Sequence, residues 1–72
     1  MKEISINTPF IKLDQFIKFI GLTASGSEAK WLIQNGEVQV NGEICLMRGK
    51  KLKEGDEVFI SDIGTFKIVD EN

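Results

Sequence analysis

The apolar residues of this chain change their spacing at Gly36, and that change restricts the fold more than any other feature of the sequence. From Leu13 to Ile33 they recur every three or four residues, as they do along one face of a helix. After Gly36, Val38 and Val40 alternate with polar residues, as they do in a strand with one buried face. A chain of 72 residues has room for one domain. The sequence therefore predicts a single α+β domain over residues 1–72, with two helices and an antiparallel sheet.

The first predicted helix has four apolar residues at i, i+3, i+4 and i+7, which are Leu13, Phe16, Ile17 and Ile20. Gly21 follows this stripe and ends the helix, because glycine readily adopts the left-handed conformation found after a helix terminus. The sequence leaves the start open, anywhere from Pro9 to Lys12. Asp14 and Lys18 stand four residues apart, and we expect them to form an ion pair on the exposed face.

The second predicted helix begins with a capping box, Ser25-Gly26-Ser27-Glu28. The Ser25 hydroxyl accepts a hydrogen bond from the Glu28 N–H in such a box, and the Glu28 carboxylate accepts one from the Ser25 N–H. Asn35-Gly36 ends this helix, and its apolar stripe is Ala29, Leu32 and Ile33. The sequence thus predicts two helices of about ten residues, joined by the loop Leu22–Ala24.

Asn41-Gly42 separates two predicted strands, and Asn-Gly is the strongest short-range hairpin signal because both residues tolerate positive φ. A strict two-residue loop would place Val40 opposite Glu43. It would also place Gln39 opposite Ile44, so polar and apolar residues would mix on each face. We therefore predict a longer loop or a bulge. The other predicted strands or extended segments lie around Ile4 and Ile6, over Ile44–Met47, around Val58 and Ile60, and over Phe66–Val69.

The composition excludes several kinds of site. The chain has no His, no Tyr and one Cys, which is Cys45. A zinc site of clustered Cys and His, a disulfide framework and a Ser-His or Cys-His nucleophile are therefore excluded within one chain. The residue spacing of a P-loop is missing, and no carboxylate pair indicates acid–base catalysis. We predict that the protein is not an enzyme and uses no metal, no cofactor and no small-molecule substrate. We also predict that Cys45 is a small buried or half-buried hydrophobe.

The chain also lacks the apolar segments that direct proteins to membranes. No apolar run approaches the ~20 residues that cross a bilayer. The N-terminal sequence has no apolar signal core. We therefore expect a cytoplasmic protein with no membrane partner.

Charge is distributed unevenly along the chain, although the net charge is only −2. Residues 12–53 carry seven cations and four anions, whereas residues 54–72 carry one cation and six anions. Local potential steers a ligand more than net charge does. The acidic balance therefore does not exclude a nucleic acid as the partner.

Five cations are candidates for contact with such a partner. Arg48, Lys50 and Lys51 are the densest group, and they fit either an RNA-binding patch or the solvated edge of a sheet. Lys12 and Lys30 have no acidic residue four positions further on. Each is therefore either free for an external anion or an ordinary solvated lysine.

Two residues of the second helix also have two interpretations. Ser25 caps the helix, and the free N–H groups at that end attract phosphate as well. Trp31 either stacks on a base or, as we favour, covers the seam between helix and sheet. In the acidic part of the chain, Glu54, Asp56 and Glu57 surround a turn, and we expect them to be solvated.

Several short motifs follow one another in a familiar order. They are Lys12-Leu13-Asp14-Gln15-Phe16-Ile17, Gly21-Leu22, Ser25-Gly26-Ser27-Glu28-Ala29-Lys30, Leu32-Ile33, Gly36-Glu37-Val38, Val40-Asn41-Gly42, Leu52 and Gly55-Asp56-Glu57-Val58. Their order and intervals over residues 8–60 resemble the S4 RNA-binding domain. Among S4 proteins the chain is most similar to the small stand-alone YaaA-like and YbcJ-like bacterial group, which also carries Thr-Pro before the first helix. The remaining ends resemble short flanking strands.

The resemblance implies the S4 (alpha-L) RNA-binding fold, in which two helices pack on a small curved antiparallel sheet. It implies that the helices, the loop between them and the adjacent strand turn bind structured RNA. For a stand-alone monomer it implies ribosomal RNA and a role in ribosome assembly or translation. Structured RNA presents phosphates and 2′-hydroxyls to a protein. We therefore predict phosphate contacts from Lys12, Lys30, Arg48, Lys50 and Lys51, and hydrogen bonds to phosphate or sugar from Gln15, Ser25 and Asn41.

Two positions depart from the usual sequence of the family. Lys12 stands where the family usually has Arg, and Gly26 follows Ser25 where the family usually has Ser-Arg. Arg binds phosphate through a planar fork, whereas Lys binds it as a point charge, so we expect a lower affinity. The alternative function is a protein-interaction adaptor that uses the Trp31 region or an open sheet edge.

Overall fold

The computed structural model describes residues 1–71, and its helices and strands follow the predicted order. The elements are β1 (Lys2–Ile6), β2 (Ile11–Lys12), α1 (Leu13–Phe19), α2 (Gly26–Gln34), β3 (Val38–Val40), β4 (Glu43–Ile44), β5 (Lys51–Leu52), β6 (Glu57–Ile60) and β7 (Gly64–Asp70). The two-helix α+β fold class is confirmed.

The main sheet has the strand order β1-β7-β6-β3-β4. β6 pairs antiparallel with both β3 and β7, and β3 pairs antiparallel with β4. β1 and β7 are parallel, with Ile4 opposite Ile68. The sheet is therefore mixed, and not wholly antiparallel as the sequence had predicted it to be. Hydrophobic alternation identifies a strand without giving its direction, so it could not reveal the parallel pair.

One face of this sheet carries the core. The register places Val38 opposite Ile60, Val40 opposite Val58, and Val58 opposite Phe66, so these side chains share a face. Leu13, Phe16 and Ile17 of α1 and Ala29 and Ile33 of α2 belong to the same buried cluster. The Phe16 and Phe66 rings meet edge to face, with centroids 6.0 Å apart. The predicted helical stripes thus pack on the predicted strand face.

Helix α1 begins at Leu13, one residue beyond the predicted range, and it is shorter than predicted. The reason is a second, two-stranded sheet, in which Ile11 and Lys12 pair antiparallel with Leu52 and Lys51. This pairing keeps residues 11–12 extended up to the first helical residue. At the other end, Gly21 has φ 79 and ends the helix as predicted.

Helix α2 has its predicted cap, in part. The Ser25 hydroxyl accepts a hydrogen bond from the Glu28 N–H at 3.4 Å, and Gly36 follows the helix with φ 75. The reciprocal bond to the Glu28 carboxylate is not formed within residues 1–71. The predicted pair of Asp14 and Lys18 is wrong as well, because the Asp14 carboxylate accepts from the Gln15 N–H at 2.8 Å.

The hairpin between β3 and β4 has the strict two-residue loop, so the predicted longer loop or bulge is wrong. Asn41 and Gly42 have φ 53 and φ 86, and Val40 lies opposite Glu43. The mixed polar and apolar pairing is tolerated because β4 is an edge strand whose residues are both exposed. The intrinsic preference of Asn-Gly for positive φ therefore determines the turn.

We expect a large difference between two identical substitutions in α1. Phe16 is fully buried, whereas Phe19 is 62% exposed. Phe16→Ala should lower the free energy of unfolding by about 3–5 kcal/mol through lost burial and a new cavity. Phe19→Ala should change it by less than about 0.5 kcal/mol. Urea denaturation of both variants tests this, and equal midpoints would contradict the assigned core.

Candidate nucleic-acid interface

Four of the predicted cations are brought together at the start of α1. Lys12 and Lys51 are direct partners in the pairing of β2 with β5. The Leu13 N–H donates to the Lys50 carbonyl at 2.8 Å, and the Asp14 N–H donates to the Arg48 carbonyl at 3.0 Å. All four cationic side chains are exposed. We call this group, Lys12, Arg48, Lys50 and Lys51, the basic cluster.

The basic cluster concentrates positive charge. Like charges directly opposite each other in a strand pair are destabilising, and Lys12 and Lys51 are placed in this way. Within residues 1–71, neither lysine forms an ion pair with a carboxylate. An anion bound between them would relieve the repulsion. The arrangement therefore favours a polyanionic ligand over an isolated surface role.

The Lys51 ammonium also lies over an aromatic ring. Its Nζ is 4.9 Å from the centroid of the Phe10 ring, within the range of a cation–π contact. Phe10 precedes β2, and its ring is 40% exposed. This contact holds the ammonium at the surface beside Lys12.

Gln15 lies beside the basic cluster. It is exposed on α1, and its side chain lines the same surface groove as Lys12 and Phe10. Lys18 is a further exposed cation on this helix. The structure thus brings Gln15 together with four of the five predicted phosphate-binding residues.

Ser25 is the N-cap residue of α2 and Lys30 lies on this helix, which packs against α1. Lys30 is exposed, and Ser25 is half-buried with its hydroxyl engaged by the Glu28 N–H. No hydrogen bond links either residue to the basic cluster in the described chain. They share the helical layer with Gln15 and do not belong to the cluster itself.

Asn41 has a structural use that its sequence context did not reveal. Its Nδ2 donates to Asp56 Oδ1 at 3.1 Å, and its Oδ1 accepts from the Glu57 N–H at 2.9 Å. Asp56 Oδ2 accepts in turn from the Lys53 N–H at 2.9 Å. These bonds join the β3–β4 turn to the turn before β6. One N–H of the Asn41 amide remains for a ligand.

The expectation that Asp56 is solvated is wrong. Asp56 is only 8% exposed, and both of its carboxylate oxygens accept hydrogen bonds. The turn at Gly55, with φ 92, directs the Asp56 side chain inward. A buried carboxylate needs such donors, and Asn41 and the Lys53 N–H supply them.

Trp31 is 61% exposed, so it covers the seam between helix and sheet only in part. It lines a groove of about 370 Å³ together with Leu22, Ile60 and Ile63. Cys45 is half-buried, as expected, and its thiol donates to the Met47 carbonyl at 3.6 Å. The residues that line the Trp31 groove do not include any member of the basic cluster.

Sequence reasoning missed the pairing of β2 with β5 and the aromatic ring of Phe10. A signal for the pairing was present. Ile11-Lys12 and Lys51-Leu52 each join one apolar and one basic residue, and antiparallel pairing brings like residues together. Two-residue strands are too short for a periodicity to reveal them.

Across residues 1–71, no three His, Cys, Asp or Glu residues are grouped so that they could hold a metal ion. None of the helices in this part of the chain has the length and apolar character needed to span a membrane.

Comparison with known proteins gives two matches. A protein family described as S4 domain matches residues 4–69 of the chain. A protein of Bacillus subtilis (strain 168), named probable ribosome maturation protein RlbA, is 46% identical over 66 residues. That alignment covers 92% of this chain and 93% of the Bacillus protein.

The bridge between Asn41 and Asp56 can be tested by stability. Asn41→Asp keeps an acceptor for the Glu57 N–H but replaces the donor with an oxygen that faces the Asp56 carboxylate. We expect it to lower the free energy of unfolding by about 1–3 kcal/mol. Asn41→Gly is the matched control, because it permits positive φ, removes both bonds and adds no charge. In urea denaturation Asn41→Asp should be the less stable of the two, and wild-type stability in both would refute the bridge.

Proposed function

This chain belongs to the S4-domain family, and we propose that it is a non-catalytic protein that binds structured RNA. The proposal includes ribosomal RNA as the ligand and a role in ribosome assembly or maturation. We propose further that the protein acts in the cytoplasm as a monomer. The name of the Bacillus relative supports the ribosomal part, since the two chains align over nearly their whole lengths.

The single observation that carries the proposal is the basic cluster. Backbone hydrogen bonds and strand pairing hold its four cations together at the start of α1, without any partner carboxylate within residues 1–71. Phosphates supply most of the affinity in nucleic-acid binding. Structured A-form RNA presents its phosphates at regular intervals and hides its major-groove base edges. A compact patch of exposed cations on hydrogen-bonded backbone fits that ligand.

The predicted RNA-binding residues divide into three groups. The basic cluster contacts phosphates at the start of α1. Gln15, which lines a groove with Lys12, adds to this first group. Lys30 and Ser25 extend the contact along the neighbouring helix. Asn41 acts first by holding the β3–β4 turn against Asp56, and its remaining N–H is available to a phosphate or sugar oxygen.

The alternative of a protein-interaction adaptor also has an observation in its favour. The Trp31 groove exposes Trp31 and Ile63, which are 61% and 51% exposed. Exposed aromatic side chains are common at protein interfaces. Such an adaptor would bind nearly independently of salt and of ribonuclease, which distinguishes it from an RNA-binding protein.

We expect RNA binding to be strongly salt-dependent. With about 3–5 phosphate contacts, log K should fall against log salt with a slope of roughly −2 to −4. Lys12→Ala/Lys51→Ala should make this slope shallower by roughly 1–2 for a ribosomal RNA fragment, because two phosphate contacts are lost. Fluorescence anisotropy at several salt concentrations measures it.

The matched control for this pair is Lys2→Ala/Lys67→Ala. It removes the same charge from β1 and β7 of the main sheet, outside the basic cluster. It should leave the slope near the wild-type value. An equal change in both double variants would show that net charge, and not the basic cluster, determines binding.

The ribosomal role is tested by sedimentation of the tagged protein from a bacterial lysate through a sucrose gradient at low salt. We expect it to migrate with a ribosomal subunit or its precursor, and to return to the top of the gradient after ribonuclease treatment. Migration at the top in both samples would refute the ribosomal role. Co-migration with another protein that survives ribonuclease would favour the adaptor.

A further inference from the structure

A groove of about 500 Å³ lies next to the basic cluster, between the segment that joins β1 to β2 and one face of α1. Phe10, Lys12, Gln15 and Phe19 line it, together with Glu71 from the end of the described chain. Resting on the proposed function, we infer that this groove receives one unpaired nucleobase of the bound RNA. The RNA would then be a helix interrupted by a bulge or a loop, and not a continuous duplex.

Two aromatic side chains support a base as the occupant. Phe19 is 62% exposed and Phe10 is 40% exposed, although both are large apolar residues. Gln15 and Phe19 are four residues apart on α1 and therefore lie on one face of the helix. Every nucleobase has a flat π surface, and stacking on an exposed ring is the usual way in which proteins hold an unpaired base.

The backbone around the groove is well defined. The Thr8 hydroxyl donates to the Phe10 carbonyl at 2.9 Å, which fixes the turn that carries Phe10. The Glu71 N–H donates to the Ile6 carbonyl at 3.0 Å, which holds Glu71 against the end of β1. The aromatic and acidic walls therefore stand on hydrogen-bonded backbone.

The charged residues around the groove favour a base inside it and the phosphates of that nucleotide outside it. Glu71 is an exposed acidic residue that lines the groove, and a carboxylate repels phosphate but accepts hydrogen bonds from the amino groups of bases. Gln15 adds an amide with both donors and an acceptor. Lys12 lies at the edge of the groove, and Lys51 is positioned over Phe10. A base inside the groove would thus leave its phosphates on the basic cluster.

The test compares two labelled RNA hairpins of equal length, one fully paired and one with a single unpaired adenosine in the stem. The full-length protein should bind the bulged hairpin at least about fivefold more tightly at the same salt concentration. Phe19→Ala should remove this preference by weakening the bulged complex, and leave the affinity for the paired hairpin unchanged. Anisotropy titration measures both affinities.

Trp31→Ala is the matched control, because Trp31 is an equally exposed aromatic side chain, 61% against 62%, outside this groove. It should preserve the preference for the bulged hairpin. Equal wild-type affinity for the two hairpins, or an equal effect of Phe19→Ala and Trp31→Ala, would overturn the assignment of the groove. Salt-dependent binding of the paired hairpin would then still support the proposed function, whereas failure to bind either hairpin would count against both.

Discussion

The interface depends on how the first N–H groups of α1 are satisfied. The start of a helix leaves N–H groups without partners inside the helix. Here the N-cap residue, Lys12, makes no side-chain hydrogen bond to the helix. The carbonyls of Lys50 and Arg48 accept from the Leu13 and Asp14 N–H groups instead. A helix near the beginning of the chain is thereby joined to a segment more than thirty residues further along. The same bonds that satisfy the helix place the cations of that segment beside Lys12.

A second contact restrains the chain segment that carries Arg48, Lys50 and Lys51. Asn41 and Asp56 join the β3–β4 turn to the turn before β6, so the chain between them is held at both ends. Within that stretch, residues 45–49 have no regular secondary structure and are mostly exposed. Ile44, Leu46 and Met47 face solvent there, each more than half exposed. The irregular segment thus contributes Arg48 to the basic cluster and also exposes apolar side chains beside it.

Much of this fold could be predicted from spacing, because burial imposes a period on each element. The stripe of Leu13, Phe16 and Ile17 and the alternation of Val38 with Val40 gave the two layers and their inner faces correctly. Features that depend on contacts between distant segments could not be read in this way. The parallel partner of β1, the pairing of Ile11 with Leu52 and the inward turn of Asp56 belong to this class. The cations of the basic cluster were recognised by their charge, but their proximity follows from the β2–β5 pairing, whose two-residue strands are too short for a periodicity to reveal them.

The parallel pairing of β1 with β7 has a consequence for the way the protein is made. Lys2–Ile6 finds its neighbour only in Gly64–Asp70, so nearly the whole chain lies between the two strands. During synthesis the helices and the β3–β4 hairpin emerge while Ile4 and Ile6 still lack that neighbour. Closing so long a loop is slow compared with forming local contacts. The sheet can therefore close only after the last strand has left the ribosome, and until then the nascent chain exposes an unpaired strand edge.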